Sequence, residues 1–222
     1  MNRAAVPERS ASAAAQIWGL YAITPEEPDT GVLAEKVGQA LQGGARIIQY
    51  RNKSADRALR VRQATALLLL CRRARVPLVI NDDLELALQI DADGLHVGRG
   101  DIDIDRARES LGEGKVLGAS CYGSIELAIA ARTRGADYVA FGSVFPSTTK
   151  PGTTRARLSL FDQARERLGL PVVAIGGITP ENAPSVIDAG ADAIAVISAL
   201  FDAMDIAAAA HRFERLFRRK SA

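Results

Sequence analysis

The stretch Gln49-Tyr50-Arg51-Asn52-Lys53 places an amide and two cations at alternate positions. A β-strand turns successive side chains to opposite faces, so Gln49, Arg51 and Lys53 are expected on one face and Tyr50 and Asn52 on the other. Three donors pointing the same way suit an anion with many oxygens, such as a diphosphate. Arg can grip it bidentately and Lys adds a point charge. A solvated basic turn would read similarly, because many surface cations hold nothing specific.

Two further segments carry carboxylates: Asn81-Asp82-Asp83, and His96-Val97-Gly98-Arg99-Gly100-Asp101. Each lies at the end of a short apolar run, so two neighbouring strands would deliver an acid to one rim. Like charges repel there unless a cation sits between them. One or two carboxylates completed by water and phosphate oxygens are the usual protein share of a Mg²⁺ site, and Asp82 and Asp101 are the candidates. Asp83 and Asp103 read instead as caps of the helices that follow. His96 reads as a strand-end histidine satisfied by a backbone or carboxylate partner rather than as a catalytic base. Zinc is not expected, because neither His211 nor a cysteine stands at ligand spacing from it.

A long segment from Phe141 to Gly152 is crowded with hydroxyls and contains one cation; Ser147, Thr148, Thr149 and Lys150 are its candidates for substrate contact. Gly176-Gly177-Ile178-Thr179 and Ile197-Ser198-Ala199 close the series. Glycines let backbone N–H groups approach a phosphate, and a helix N-terminus adds a favourable dipole.

These residues need a scaffold that brings strand ends together. From Ile17 onward, short β-branched runs alternate with amphipathic stretches about eight times, the pattern of βαβ units around a parallel sheet. The expected strands are Gly19 to Thr24, Ala45 to Tyr50, Leu78 to Asn81, Gly94 to Val97, Val116 to Ser120, Tyr138 to Gly142, Val172 to Gly176 and Ala193 to Ile197. Ser54 is expected to cap the helix after the second strand, and Thr179 with Pro180 to open the one after the seventh. Ala45-Arg46, Ala92-Asp93, Ala136-Asp137 and Ala191-Asp192 recur where a strand opens. The expected fold is a single (β/α)₈ TIM barrel over residues 17–222, with function at the C-terminal strand ends. The Ala- and Ser-rich residues 1–16 read as a frayed tail rather than a targeting segment, because Glu8 interrupts them and no apolar core is present.

Composition agrees. The 222 residues are 48% hydrophobic, 24% charged and 5% aromatic, with a net charge of +2 spread along the chain, which argues for a globular aliphatic core and against nucleic acid. No run approaches a membrane span. Cys71 and Cys121 lie far apart in apolar patterns, which fits two internal thiols and a reducing cytoplasm.

Taken in order, these motifs resemble the thiamine phosphate synthase family from Leu20 to about Phe217. The resemblance implies a Mg²⁺-dependent transferase of thiamine biosynthesis with two small phosphorylated substrates. A pyrimidine diphosphate is joined to a thiazole phosphate, with or without a 2-carboxylate, and pyrophosphate leaves. It further implies that Gln49, Tyr50, Arg51, Asn52, Lys53, Asn81, Ser120 and Lys150 contact the diphosphate substrate. Ser147, Thr148, Thr149, Gly177, Ile197 and Ser198 would contact the thiazole phosphate, and Asp82 and Asp101 would hold the metal. Arg51, Lys53 and Lys150 would act on the departing pyrophosphate. Arg99 stands where the family usually has Gln, Tyr122 where His is common and Ser147 where Thr is common. The rival readings are a thiazole tautomerase of the same fold and a non-catalytic phosphate-ligand sensor. The rim acids and cations are intact and Cys121-Tyr122 replaces the tautomerase histidine, so both rank below the synthase. Oligomeric state stays open, a homodimer included.

Overall fold

The computed structural model describes residues 17–146 and 156–218. Its strands are β1 (Gly19–Ile23), β2 (Ile47–Tyr50), β3 (Leu78–Asn81), β4 (Gly94–Val97), β5 (Val116–Tyr122), β6 (Tyr138–Gly142), β7 (Val172–Ile175) and β8 (Ala193–Val196). They pair in parallel in sequence order, and β1 pairs with β8 to close the barrel. Around it lie α1 (Thr30–Gln42), α2 (Arg57–Ala74), α3 (Leu84–Gln89), α4 (Ile104–Leu111), α5 (Ile125–Thr133), α6 (Ser159–Leu168), α7 (Ala183–Asp188), α8 (Ser198–Phe201) and α9 (Ile206–Arg218). The expected (β/α)₈ barrel is thus present. Residues 1–16, the expected tail, lie outside the described residues.

Period-two alternation explains why the strands are apolar throughout. Leu20, Ala22, Ile48, Ile80, Leu95 and Leu117 pack toward the helices, whereas Tyr21, Ile23, Ile47, Val79, Tyr138 and Val173 fill the barrel interior. Both faces are buried, as a parallel sheet requires. Full burial of each Leu, Ile or Val side chain contributes about 1.5–3 kcal/mol. Gly118 is set by this packing: a Cβ there would lie 2.1 Å from Cζ of the Tyr138 ring.

Local chemistry moved several boundaries. β2 starts at Ile47 because the Ala45 N–H still bonds to the Ala40 carbonyl, completing the turn after α1. β5 runs on to Tyr122 through a register shift between Ser120 and Tyr122. Asp56, not Ser54, caps α2, its carboxylate accepting from the Leu59 N–H at 2.7 Å. Ser54 Oγ donates instead to Asn52 Oδ1. α7 starts at Ala183 rather than after Pro180. Asn182 Oδ1 accepts from the Thr179 N–H and its Nδ2 donates to the Gly177 carbonyl, tying these residues into a loop; the proline of the first turn is Pro184. Asp83 and Asp103 cap α3 and α4 as expected.

The recurring Ala-Asp pairs serve the N-terminal end of the barrel. Asp93, Asp137 and Asp192 accept from the N–H groups of Leu78, Leu117 and Val172, each on the preceding strand. Each acid therefore ties two adjacent strands together below the first ladder bond.

Candidate active site

The C-terminal strand ends surround a cavity of about 340 Å³, lined by Gln49, Arg51, Asn81, His96 and Ser120 on one side and Gly176, Gly177, Ile197 and Ser198 on the other. Gln49 and Arg51 face this cavity as alternation requires. Tyr50 and Asn52 face away from it: Tyr50 Oη donates to Gln63 Oε1 at 2.8 Å, and Asn52 Nδ2 donates to the same oxygen at 3.1 Å. Gln63 lies on α2 and is fully buried. Both residues thus pin the strand end to the helix layer, and burial pushes the Tyr50 hydroxyl up to about 12.

Alternation stops with the strand at Tyr50, so Lys53 does not follow Arg51 into the main cavity. It borders an adjacent depression instead, where its Nζ lies 3.0 Å from Asp82 Oδ2. Arg51 is held by a residue that sequence reasoning missed. Thr24, buried at the end of the first strand, accepts the Arg51 N–H at 2.9 Å and donates to the Arg51 carbonyl at 3.1 Å. The Arg51 guanidinium lies 3.4 Å from Glu26. The only sequence cue was a hydroxyl just past a strand.

Asp82 and Asp101 are brought together, their carboxyl groups within hydrogen-bond reach of each other. Asp82 adopts a left-handed backbone with φ of 63°, uncommon for a residue with a side chain, and its N–H bonds across to the His96 carbonyl. Desolvation and the neighbouring Asp82 push the Asp101 carboxyl above the ordinary carboxylate range. Desolvation opposes ionisation of Asp82 too, but the hydrogen bonds from Asp101 and Lys53 hold it below that range. The two acids thus shift in opposite directions, as interacting carboxylates do. Asp101 also accepts from the Gly98 N–H at 2.7 Å, and Tyr122 Oη accepts from the Arg99 N–H at 3.0 Å while the Arg99 guanidinium lies over the Tyr122 ring. Two of the three departures from the family pattern, Arg99 and Tyr122, thus contact each other and brace the loop that carries Asp101.

The opposite wall is backbone. Gly176 and Gly177 have φ of 104° and 61°, and a Cβ on Gly177 would lie 2.2 Å from the Pro146 carbonyl oxygen. Only glycine fits this turn. Ile197 precedes the first turn of α8 and Ser198 opens it, both against the cavity. Ser147, Thr148, Thr149 and Lys150 lie outside the described residues.

The floor is polar. His96 bonds through Nδ1 to Tyr138 Oη and through Nε2 to Ser120 Oγ, each at 2.9 Å, so both ring nitrogens are engaged by hydroxyls. Tyr138 Oη lies 2.8 Å from Tyr21 Oη, which accepts from Gln49 Nε2 at 2.9 Å. Burial holds both tyrosine hydroxyls well above their ordinary range, so they remain protonated. Sequence reasoning did not select the two tyrosines, which look like core residues in apolar strands.

Arg51 and a glycine turn face one cavity, the acid pair lies beside Lys53 next to it, and residues 20–200 match the family described as thiamine monophosphate synthase. The chain belongs to that family. Thiamine-phosphate synthase of Methylobacillus flagellatus is 56% identical over 201 residues, covering 90% of this chain and 96% of the relative. That of Thiobacillus denitrificans is 56% identical over 199 residues, covering 90% and 94%. Among solved structures, thiamine phosphate pyrophosphorylase from Pyrococcus furiosus superposes with a TM-score of 0.81 at 36% identity, covering 91% of this chain and 96% of that one. The family resemblance read from the motifs is therefore sound, and the chain is an enzyme of the transferase class in thiamine biosynthesis.

Proposed function

We infer that the enzyme is a thiamine-phosphate synthase, joining a hydroxymethylpyrimidine diphosphate to a thiazole phosphate and releasing pyrophosphate. Besides the family membership, one observation carries the reading: a cavity with Arg51 and Gln49 on one wall and a glycine turn on the other is flanked by a depression where Lys53 meets Asp82 of the acidic pair. That is the equipment for two differently phosphorylated ligands.

Two carboxylates within hydrogen-bond reach of each other, with Lys53 beside them, form a hard oxygen-donor set, and Mg²⁺ fits it. Asp82 and Asp101 would hold the ion, which supplies charge to neutralise the departing diphosphate. Little covalent chemistry falls to the chain itself. Arg51, fixed by Thr24, offers a bidentate fork to the diphosphate, and Lys53 and Lys150 add point charge as it leaves. Gln49, Asn81 and Ser120 border the volume left for the pyrimidine, whose methylene carbon becomes cationic as the carbon–oxygen bond breaks. Gly177, Ile197 and Ser198 would hold the thiazole phosphate so that the ring nitrogen meets that carbon; Ser147, Thr148 and Thr149 would add contacts. The substrates and product are those of a cytoplasmic biosynthetic step, and no described helix is long and apolar enough to cross a membrane.

The test is release of pyrophosphate from purified protein given both substrates and Mg²⁺. Release is expected only with both substrates present and is abolished by a chelator. Release from the diphosphate alone, with no coupled product, would overturn the reading.

A further inference from the structure

Five side chains from five strands form one hydrogen-bonded chain across the barrel floor, in the order Gln49, Tyr21, Tyr138, His96, Ser120. Its direction can be worked out from one end. Gln49 donates its Nε2–H to Tyr21 Oη. Tyr21 is 1% exposed, so its own hydrogen needs an internal acceptor, and Tyr138 Oη at 2.8 Å provides one. Tyr138, having accepted, donates to His96 Nδ1. A neutral imidazole that accepts at Nδ1 carries its hydrogen on Nε2, so His96 donates to Ser120 Oγ. Ser120 is then left with its hydrogen for the cavity that it lines. The opposite direction would aim the buried Tyr21 hydrogen at the Gln49 donor, leaving both unsatisfied.

We propose that Gln49 sets the tautomer of His96 through the two tyrosines and thereby fixes Ser120 as a donor to an acceptor atom of the bound substrate. Tyr21, Tyr138 and His96 are then positioning residues. The chain couples two walls of the cavity: Gln49 on β2 cannot change its hydrogen-bonding role without reversing that of Ser120 on β5. This rests on the reading of the mouth as the substrate site.

The test is the ¹⁵N spectrum of histidine-labelled protein at about pH 8, above the ordinary imidazole range. His211 is exposed on α9 and is assigned through His211→Gln. Wild type is expected to show His96 as the Nε2–H tautomer. In Gln49→Glu the carboxylate can only accept, so Tyr21 must donate to it, every bond along the chain reverses, and His96 shifts to Nδ1–H. Adding Tyr138→Phe cuts the chain and should abolish that shift. An Nδ1–H tautomer in wild type, or the same tautomer in wild type and Gln49→Glu, would overturn the proposal. If Gln49→Glu does not fold, Tyr138→Phe alone should leave His96 a mixture of tautomers, and an unchanged single tautomer would refute the coupling. Ser120→Ala distinguishes this from the functional reading: the Nε2–H tautomer should persist while kcat/KM for the pyrimidine diphosphate falls about tenfold. A tautomer shift in Gln49→Glu with no kinetic loss in Ser120→Ala would remove Ser120 from the substrate site and overturn its place as the working end.

Discussion

At the N-terminal end of the barrel, acids are fully used by the protein. Asp93, Asp137 and Asp192 each accept a backbone N–H from a neighbouring strand, and Asp137 also receives Arg108, which donates further to the Gly112, Lys115 and Gly135 carbonyls. At the C-terminal end, Asp82 and Asp101 face each other, one held below and the other pushed above the ordinary carboxylate range, and have Lys53 as their adjoining cation. The same residue type is spent on closing turns at one end and is left under-neutralised at the other. Acids that satisfy backbone groups stabilise the fold, and acids that confront each other store a demand for positive charge that a ligand can meet.

Substitutions should separate the two ends. The largest effect is expected from Arg108→Ala, which takes the guanidinium from the half-buried Asp137 and removes four backbone or carboxylate partners of Arg108. Breaking such a pair costs about 3–5 kcal/mol, read as a lower denaturant midpoint, with kcat of the remaining folded enzyme unchanged. A comparable loss of kcat would show that the N-terminal end is not purely structural. Next, Asp101→Ala should leave the unfolding midpoint near wild type yet slow turnover on the order of a hundredfold, about 3 kcal/mol of barrier, with partial rescue by raised Mg²⁺. Wild-type Mg²⁺ dependence in this variant would remove Asp101 from the metal site.

A smaller and more selective effect is expected at the glycine wall. Gly177→Val forces a side chain into the Pro146 carbonyl. It should raise KM for the thiazole phosphate about tenfold or more while moving KM for the pyrimidine diphosphate far less, because it blocks one anion's backbone donors. Equal losses for both substrates would argue for one shared anion site. At the bottom of the scale, Arg212→Ala breaks an exposed ion pair with Glu181, in the loop that joins β7 to α7. It should shift stability by less than about 1 kcal/mol and leave kinetics intact; a larger change would mean that α9 does more than cover the barrel.

Much of the site was legible because its parts sit where strands end. Alternation correctly sent Gln49 and Arg51 to the mouth and Tyr50 and Asn52 to the helices, and cap chemistry separated Asp83 and Asp103 from Asp82 and Asp101. Lys53 was misplaced because the strand period stops at Tyr50 and the chain then turns freely. Thr24 was missed because its role consists of two hydrogen bonds to a residue 27 positions away. The polar floor was invisible for the same reason: Tyr21 and Tyr138 are 117 positions apart and meet only when the barrel closes.

The sequence by itself determined the periodicities, and with them the eight strands, the barrel and the set of polar residues that end up at one rim, since local alternation and turn chemistry act within a few residues. Only the tertiary structure decided which of those residues face each other. It paired Asp82 with Asp101, bound Arg51 to Thr24 and Tyr122 to Arg99, and ran a hydrogen-bonded chain from Gln49 to Ser120. These contacts depend on strand register, shear and the small side chains that leave room inside the barrel, which are properties of the closed sheet and of no single segment.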